Sequence, residues 1–332
     1  MSWDSVPWFV GGGAEHSPEV ARLLAYAAVG GAEGLVTPDD LKVTPLDVPG
    51  GGVKIAPGAA LIRNRAAGGA LQTYVARNPD VDTVTIAATG SGSGRTDLIV
   101  AQIEDPYMAG EPWQEPTDPK AGPYVYTRVI PNVPAGTKRL QDVPGYSGRS
   151  AITLARVTLP ASTGTVTAGM ITDLRKMARP RTERRMTTVF PEGARTAGNK
   201  LPTSGSYAPW PLTSAQRPAV QVPEWATRID IVVHMSGILF LKGGATVDTV
   251  AGTRTVFGTT TPAENGILIQ DVEDTDGRYS FTTIGSHAIP ASMRGTTQYI
   301  EAQAVRTVGV GNWYADYQSS IVVDWQFSEE AV

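Results

Sequence analysis

The chain has 332 residues with 36 Gly, 25 Pro and no Cys, a length that suggests about two domains of roughly 150 residues each. Twenty-eight Lys+Arg against 32 Asp+Glu leave a net charge of −4, so no global field draws the chain to nucleic acid or to an anionic membrane, and neither partner is expected. The lack of Cys excludes disulfides, thiolate metal sites and thiol nucleophiles together, and fits assembly in a reducing cytoplasm.

The opening MSWDSVPWFVGGGAEH has neither a basic n-region nor a long apolar h-region, and no apolar run reaches the length of a membrane span, so a soluble chain without export signal or membrane insertion is expected. Ser17-Pro18-Glu19 predicts a helix start: the Ser oxygen can cap free N–H groups, Pro at the first position loses no bond, and Glu suits the positive dipole end. Val20, Leu23, Leu24 and Ala27 then share one face, and Gly30-Gly31 closes the helix. Beyond it, β-branched and aromatic residues between Gly, Pro, Asn and Asp breakers predict strands near 53–57, 59–64, 71–77, 82–88, 96–104, 123–130 and 151–159. The runs 97–103 and 152–157 alternate weakly, as central strands covered on both faces would. Between them, 105–123 holds five Pro and reads as a long excursion.

Six basic residues lie between Arg175 and Arg185, followed by Pro-, Gly- and Ser-rich sequence to about Pro223. This is the composition of a connection, so the domains are drawn as 1–180, a linker over 181–223, and 224–332. In the last part Ile229, Ile231, Val233 and Met235 alternate along one strand, and Ile321, Val323, Trp325 and Phe327 along another. With further strands near 238–242, 247–257, 266–272, 278–285 and 298–308, the expectation is an antiparallel β-sandwich or jelly roll. The fold class is therefore mainly β, with an N-terminal β-rich domain carrying one short helix. No 20–50-residue repeat suggests a propeller, β-helix or fibre shaft.

No catalytic constellation emerges. Gly90-Ser91-Gly92-Ser93-Gly94-Arg95-Thr96 has neither the spacing nor the Lys of a phosphate loop and runs into a strand, so it reads as a turn. No G-x-S-x-G occurs, and His16, His234 and His287 are far apart in sequence and read as structural or loop residues. Asp271, Asp274 and Asp276 before Gly277 could wrap a Ca²⁺ ion, though a polar hairpin turn at Asp276-Gly277 accounts for the same residues; no other cofactor is expected. Arg175, Lys176, Arg179, Arg181, Arg184 and Arg185 have no interleaved aromatics for base stacking and read as a solvated linker or a salt-bridged interface. Trp313, Tyr314 and Tyr317 gather between two strong strands. They read either as the lid of the sandwich or an interface, or as rings offered to a sugar or protein surface.

Five segments carry a resemblance: GAEHSPEVARLLAYAAVGGAEGLV at 13–36, VKIAPGAALIRNR at 53–65, QTYVARN at 72–78, GRTDLIVAQIEDP at 94–106 and ITLARVTLPASTGTVTAGMITDLR at 152–175. Together they cover most of 1–180, and the chain resembles minor tail proteins, components of the tail tip or baseplate, of siphophages that infect actinobacteria. The resemblance implies a β-rich attachment module with no catalytic residue, other phage tail proteins as partners, a homotrimer, and a place in the virion tail after assembly in the host cytoplasm. Arg95, Asp97, Asp173 and Arg175 stand at strand ends, where pairing would fix a sheet or an interface. The closing VVDWQF resembles the last strand of trimeric phage tip domains only loosely, and host-envelope glycan would be the ligand class for a displayed C-terminal domain. The rival expectations are a phage-borne enzyme that degrades cell-surface polysaccharide and a carbohydrate-binding module.

Overall fold

The computed structural model describes residues 17–111, 113–114, 117–118, 120, 123–193, 199–202, 205–242, 249–260 and 276–332, and the backbone alone at 269–271. Two compact units divide the chain: unit 1 is Met1–Pro180 with Ala331–Val332, and unit 2 is Arg181–Glu330. Both are mainly β, and every strand pair is antiparallel.

Unit 1 opens with α1 (Pro18–Val29), where Ser17 Oγ accepts from the Val20 N–H at 3.4 Å and Gly30 ends the helix in the left-handed region at φ 63°. The shared apolar face of α1 is not buried. Leu23 and Leu24 are 45% and 46% exposed, and the helix packs instead through Arg22. The Arg22 Nε donates to Gln72 Oε1 at 2.6 Å, and its guanidinium lies 5.2 Å from the Tyr74 ring centre and 3.7 Å from Asp105. A guanidinium with three partners, on β5 and on the chain just before it and just after β7, outweighs the side chains that hydropathy alone would turn inward.

Ten strands follow: β1 (Gly34–Leu35), β2 (Val43–Pro45), β3 (Gly52–Ile55), β4 (Gly58–Arg63), β5 (Thr73–Asn78), β6 (Asp82–Thr85), β7 (Arg95–Ile103), β8 (Val125–Ile130), β9 (Ala151–Leu159) and β10 (Ile171–Asp173). They make three small sheets, ordered β1-β4-β5, β2-β3-β6 and β10-β9-β7-β8. Strand β7 is covered on both faces, as its weak alternation predicts: Ile99, Ala101 and Ile103 enter the main core with Val53, Ile62 and Leu154, while Leu98 and Val100 meet Leu140 on the other side. The Pro-rich excursion after β7 is tied down at its base, where Glu104 accepts from the Gln114 N–H at 2.8 Å and Glu111 accepts from Ser150 Oγ at 2.6 Å.

In unit 2 the strands are β11 (Thr182–Val189), β12 (Ala208–Pro209), β13 (Ala219–Gln221), β14 (Arg228–Leu241), β15 (Thr249–Phe257), β16 (Ile269–Asp271), β17 (Gly277–Ala288), β18 (Thr297–Val308), β19 (Asn312–Tyr314) and β20 (Ser320–Ser328). One sheet runs β11-β20-β14-β17 with β19 also on β14, and the other runs β12-β18-β15-β16 with β13 also on β18. Ile229, Ile231, Val233 and Met235 of β14 pair in register with Phe327, Trp325, Val323 and Ile321 of β20, and all eight are buried in one core with Phe257 and Ile300 of the facing sheet. This is the expected sandwich, because period-2 alternation puts one apolar face of each long strand against the other sheet. A bulge between Met235 and Ile238 bends β14 onward to pair with β19, and Gly237 there, at φ 71°, has room for no Cβ: one would lie 2.6 Å from the Gln318 carbonyl oxygen.

The linker expected over 181–223 is a correction. Within it Thr182–Val189 form β11, an edge strand paired with β20 along its whole length, and β12 and β13 join the second sheet. Basic and Pro-rich composition marks a solvent-facing sheet edge here, since one side of an edge strand carries charge that discourages further pairing.

Candidate functional site

Within the aromatic segment Asn312–Tyr314 form β19, and Tyr317 follows it in a turn. Leu201 donates its N–H to the Trp313 carbonyl at 2.8 Å and Ala315 donates to the Asn199 carbonyl at 3.0 Å, while β14 pairs with the other edge of β19. Trp313 is 0% exposed, its ring 4.8 Å from that of Phe240, so it belongs to the core and is corrected from the candidate ligand set. Tyr314, the next residue along the alternation, is half-buried, and Tyr317 is 62% exposed. The three rings form no common platform. Between them and the sheet, Asp316 is buried and takes two bonds from Arg278, at 2.9 and 2.8 Å; these hydrogen bonds hold its carboxyl below the usual range against the opposing effect of burial.

Of the candidate calcium ligands, Asp274 and the side chain of Asp271 lie outside the described residues, and Asp276 Oδ1 accepts from the Lys242 N–H at 3.0 Å. No group of three His, Asp or Glu suited to a metal occurs among the described residues. His16 also lies outside them. His234 stands on the exposed face of β14, 2.8 Å from Thr282 Oγ1, whereas His287 is buried and bridges the sheets through Thr255 Oγ1 at 2.9 Å and Thr260 Oγ1 at 3.0 Å.

The basic run is distributed rather than clustered. Arg181 donates to both oxygens of Glu329, Arg184 pairs with Asp324, and Arg185 pairs with Glu183 at 2.7 Å. Burial pushes the Glu329 carboxyl up, and the Arg181 hydrogen bonds outweigh it, so the group titrates below its ordinary value. Arg175 is enclosed in unit 1, where its guanidinium meets Asp173, the Pro38 and Asp40 carbonyls and the Val332 carbonyl. Arg95 likewise pairs with the buried Asp97 at 2.9 and 3.0 Å. Both pairs at strand ends are the sheet-fixing contacts expected of them.

Sequence reasoning passed over a cavity of about 330 Å³ in unit 1. Its floor is apolar, from Leu35, Ala151, Ile152 and Leu174, and its rim carries Glu33, Lys138, Arg139 and Lys176. It forms because β10 covers β9 only as far as Ala155 and Leu174, so the 151–153 end of β9 is left beside a 3-10 turn at Leu140–Asp142. There Gln141 Nε2 caps the Ala151 carbonyl at 2.8 Å and Thr153 Oγ1 accepts from the Leu140 N–H at 3.0 Å. The lining comes from four stretches, 33–35, 138–141, 151–153 and 174–176, spread over 143 positions of sequence, which is why no local motif announces it. On the neighbouring excursion Tyr107 and Trp113 are exposed, and Tyr107 meets Tyr124 edge-on at 6.4 Å.

No family model matches the chain, and no curated protein matches it. Among solved structures it is similar to the T13 viral particle of infectious bursal disease virus, at 11% identity over 95% of this chain and 80% of that one, with a TM-score of 0.24. It is also similar to the VP2 subviral particle of the same virus, at 12% identity over 95% and 82%, with a TM-score of 0.21. TM-scores this low carry no function across.

Proposed function

We propose that this chain is a non-enzymatic structural component of a bacteriophage tail tip or baseplate, a minor tail protein whose unit 1 attaches to the tail and whose unit 2 is displayed toward the host surface in a homotrimer. The supporting observation is that the segments carrying the tail-protein resemblance are the ones that build unit 1. GRTDLIVAQIEDP supplies β7, ITLARV opens β9, and ITDLR supplies β10 and the enclosed Arg175. A module held by buried pairs suits a part that must keep its shape under assembly. Other tail proteins are its partners, the virion tail is its location, and no cofactor is required.

Gold-labelled antibodies against the chain, imaged on purified particles of the phage that encodes it, test the reading. Label at the tail end is expected, and particles that stay unlabelled while a known tail protein is labelled would overturn it. Release of reducing sugar from envelope polysaccharide by the isolated chain would instead favour a depolymerase.

A further inference from the structure

We propose that the cavity of unit 1 binds an anionic sugar unit, a pyranose bearing a carboxylate or phosphate. The inference goes beyond the virion reading and stands on the cavity alone. At about 330 Å³ the space falls at the lower end of the roughly 300–1,000 Å³ of small-molecule sites, too large for a bare ion and suited to one or two rings.

The charge of the ligand follows from which rim groups are already engaged. Glu33 accepts from Arg65 at 2.6 Å, and the enclosed Arg175 is committed to Asp173. Lys138 and Lys176 are exposed and have no carboxylate partner among the described residues, while Arg139 forms a long ion pair with Glu33 at 3.9 Å. Two unpaired cations therefore line one opening beside a third held by Glu33, and an anion there gains chiefly from the two lysines.

The body of the ligand follows from the walls. Gln141 uses its amide nitrogen on backbone carbonyls, and its amide oxygen accepts no hydrogen bond among the described residues. Thr153 Oγ1 accepts from the backbone and keeps its hydroxyl proton to donate. An acceptor and a donor on the wall call for a hydroxylated ligand, while Leu35, Ile152 and Leu174 offer the apolar floor on which the C–H face of a pyranose can lie. A fatty acid would leave both polar groups unanswered, and inorganic phosphate would leave the floor empty.

The test is calorimetric titration of the full chain with glucuronic acid, glucose 6-phosphate, glucose, inorganic phosphate and dodecanoate. The two anionic sugars should bind about tenfold or more tighter than glucose and than phosphate, and should weaken with added salt. A Lys138→Ala/Lys176→Ala variant changes only exposed side chains, so it should melt as the parent does and lose about tenfold in affinity for both anionic sugars. Phosphate binding as tightly as glucose 6-phosphate would reduce the site to an ion contact, and dodecanoate binding tightest would make it a lipid site; either result overturns the proposal, as does unchanged affinity in the variant. A glucuronate-terminated oligosaccharide separates the sources: affinity equal to or above the monosaccharide points to an envelope polymer, and affinity for the monosaccharide alone points to a free metabolite.

Discussion

The two units are both antiparallel β structures that bury carboxylates, Asp97, Glu104 and Glu111 in unit 1 and Asp316 and Glu329 in unit 2, yet they place the paired arginines differently. Unit 1 encloses Arg175 beside sheets of three or four strands. Unit 2 keeps hydrocarbon inside, with eight alternating residues of β14 and β20 in one core, and sets its ion pairs so that Arg181, Arg184 and Arg278 reach inward from exposed or half-exposed positions. Long strands with a strict two-residue period specify their own pairing, since a one-residue slip would turn every core side chain to solvent. Short strands such as β1, β2 and β10 lack that lever, and buried hydrogen-bonded ions fix their positions instead, at a desolvation cost that only complete pairing offsets.

The largest effects should therefore come from different chemistry in each unit. Trp313→Ala opens a cavity beside Phe240 and should cost unit 2 about 3–5 kcal/mol. Arg175→Ala leaves three backbone carbonyls without their donor, while the exposed Asp173 rehydrates, and should destabilise unit 1 by about 2–3 kcal/mol. Native-state hydrogen exchange read by mass spectrometry assigns each loss to its unit. If Arg175→Ala weakens unit 2 as much as unit 1, or if Trp313→Ala leaves unit 2 protected, the contrast does not hold.

What the sequence made legible follows the same line. The Ser17 cap, the Gly30 stop and the alternation of Ile229 to Met235 and Ile321 to Phe327 are local patterns, and local patterns were enough to place α1, β14 and β20. The doubly covered β7 could also be read, because eight successive buried residues leave no polar face to alternate. Arg22 turned α1 the other way through partners 50 and 83 positions distant, which no helical wheel contains. The strand pairing of Trp313 and of β11 escapes a local reading for a related reason. Each lies in a segment whose own composition resembles a loop or linker and which becomes strand only by pairing with distant chain, 199–201 and β14 for the one and β20 for the other. The cavity is assembled from four separated stretches and left no sequence signature.

Acid should cost unit 2 more than unit 1, where the Glu111 and Glu19 carboxyls shift in opposite directions. Burial raises the Glu111 carboxyl above its ordinary value in spite of its Ser150 bonds, so its folded form holds the proton more tightly than its unfolded form does. That contribution to unit 1 is present below the unfolded pKa and is lost as pH rises through the folded one. In unit 2, Asp316, Asp324 and Glu329 are all held low by arginine, so their contribution is present above the unfolded values and is lost as pH falls through the folded ones. Exchange protection followed from pH 7 to pH 3 should fall first in unit 2. Glu111→Gln should remove the Glu111 component from the unit 1 profile; an unchanged profile would mean that this group does not set it.

The smallest effects sharpen the contrast at the surface. Leu24 sits on the outward face of α1, so Leu24→Gln removes no core contact and should change unit 1 stability by no more than about 0.5 kcal/mol. Arg22→Met on the same helix keeps the stem but gives up the Gln72 bond, the Asp105 charge and the Tyr74 ring, and should cost about 1–2 kcal/mol. Tyr317→Ala, exposed at the edge of unit 2, should likewise stay within about 0.5 kcal/mol, in contrast to its buried neighbour Trp313. Urea unfolding of the three variants checks the ordering. A Leu24→Gln loss larger than that of Arg22→Met would mean that the apolar face of the helix is covered in the folded protein and that hydropathy, not the guanidinium, sets its orientation.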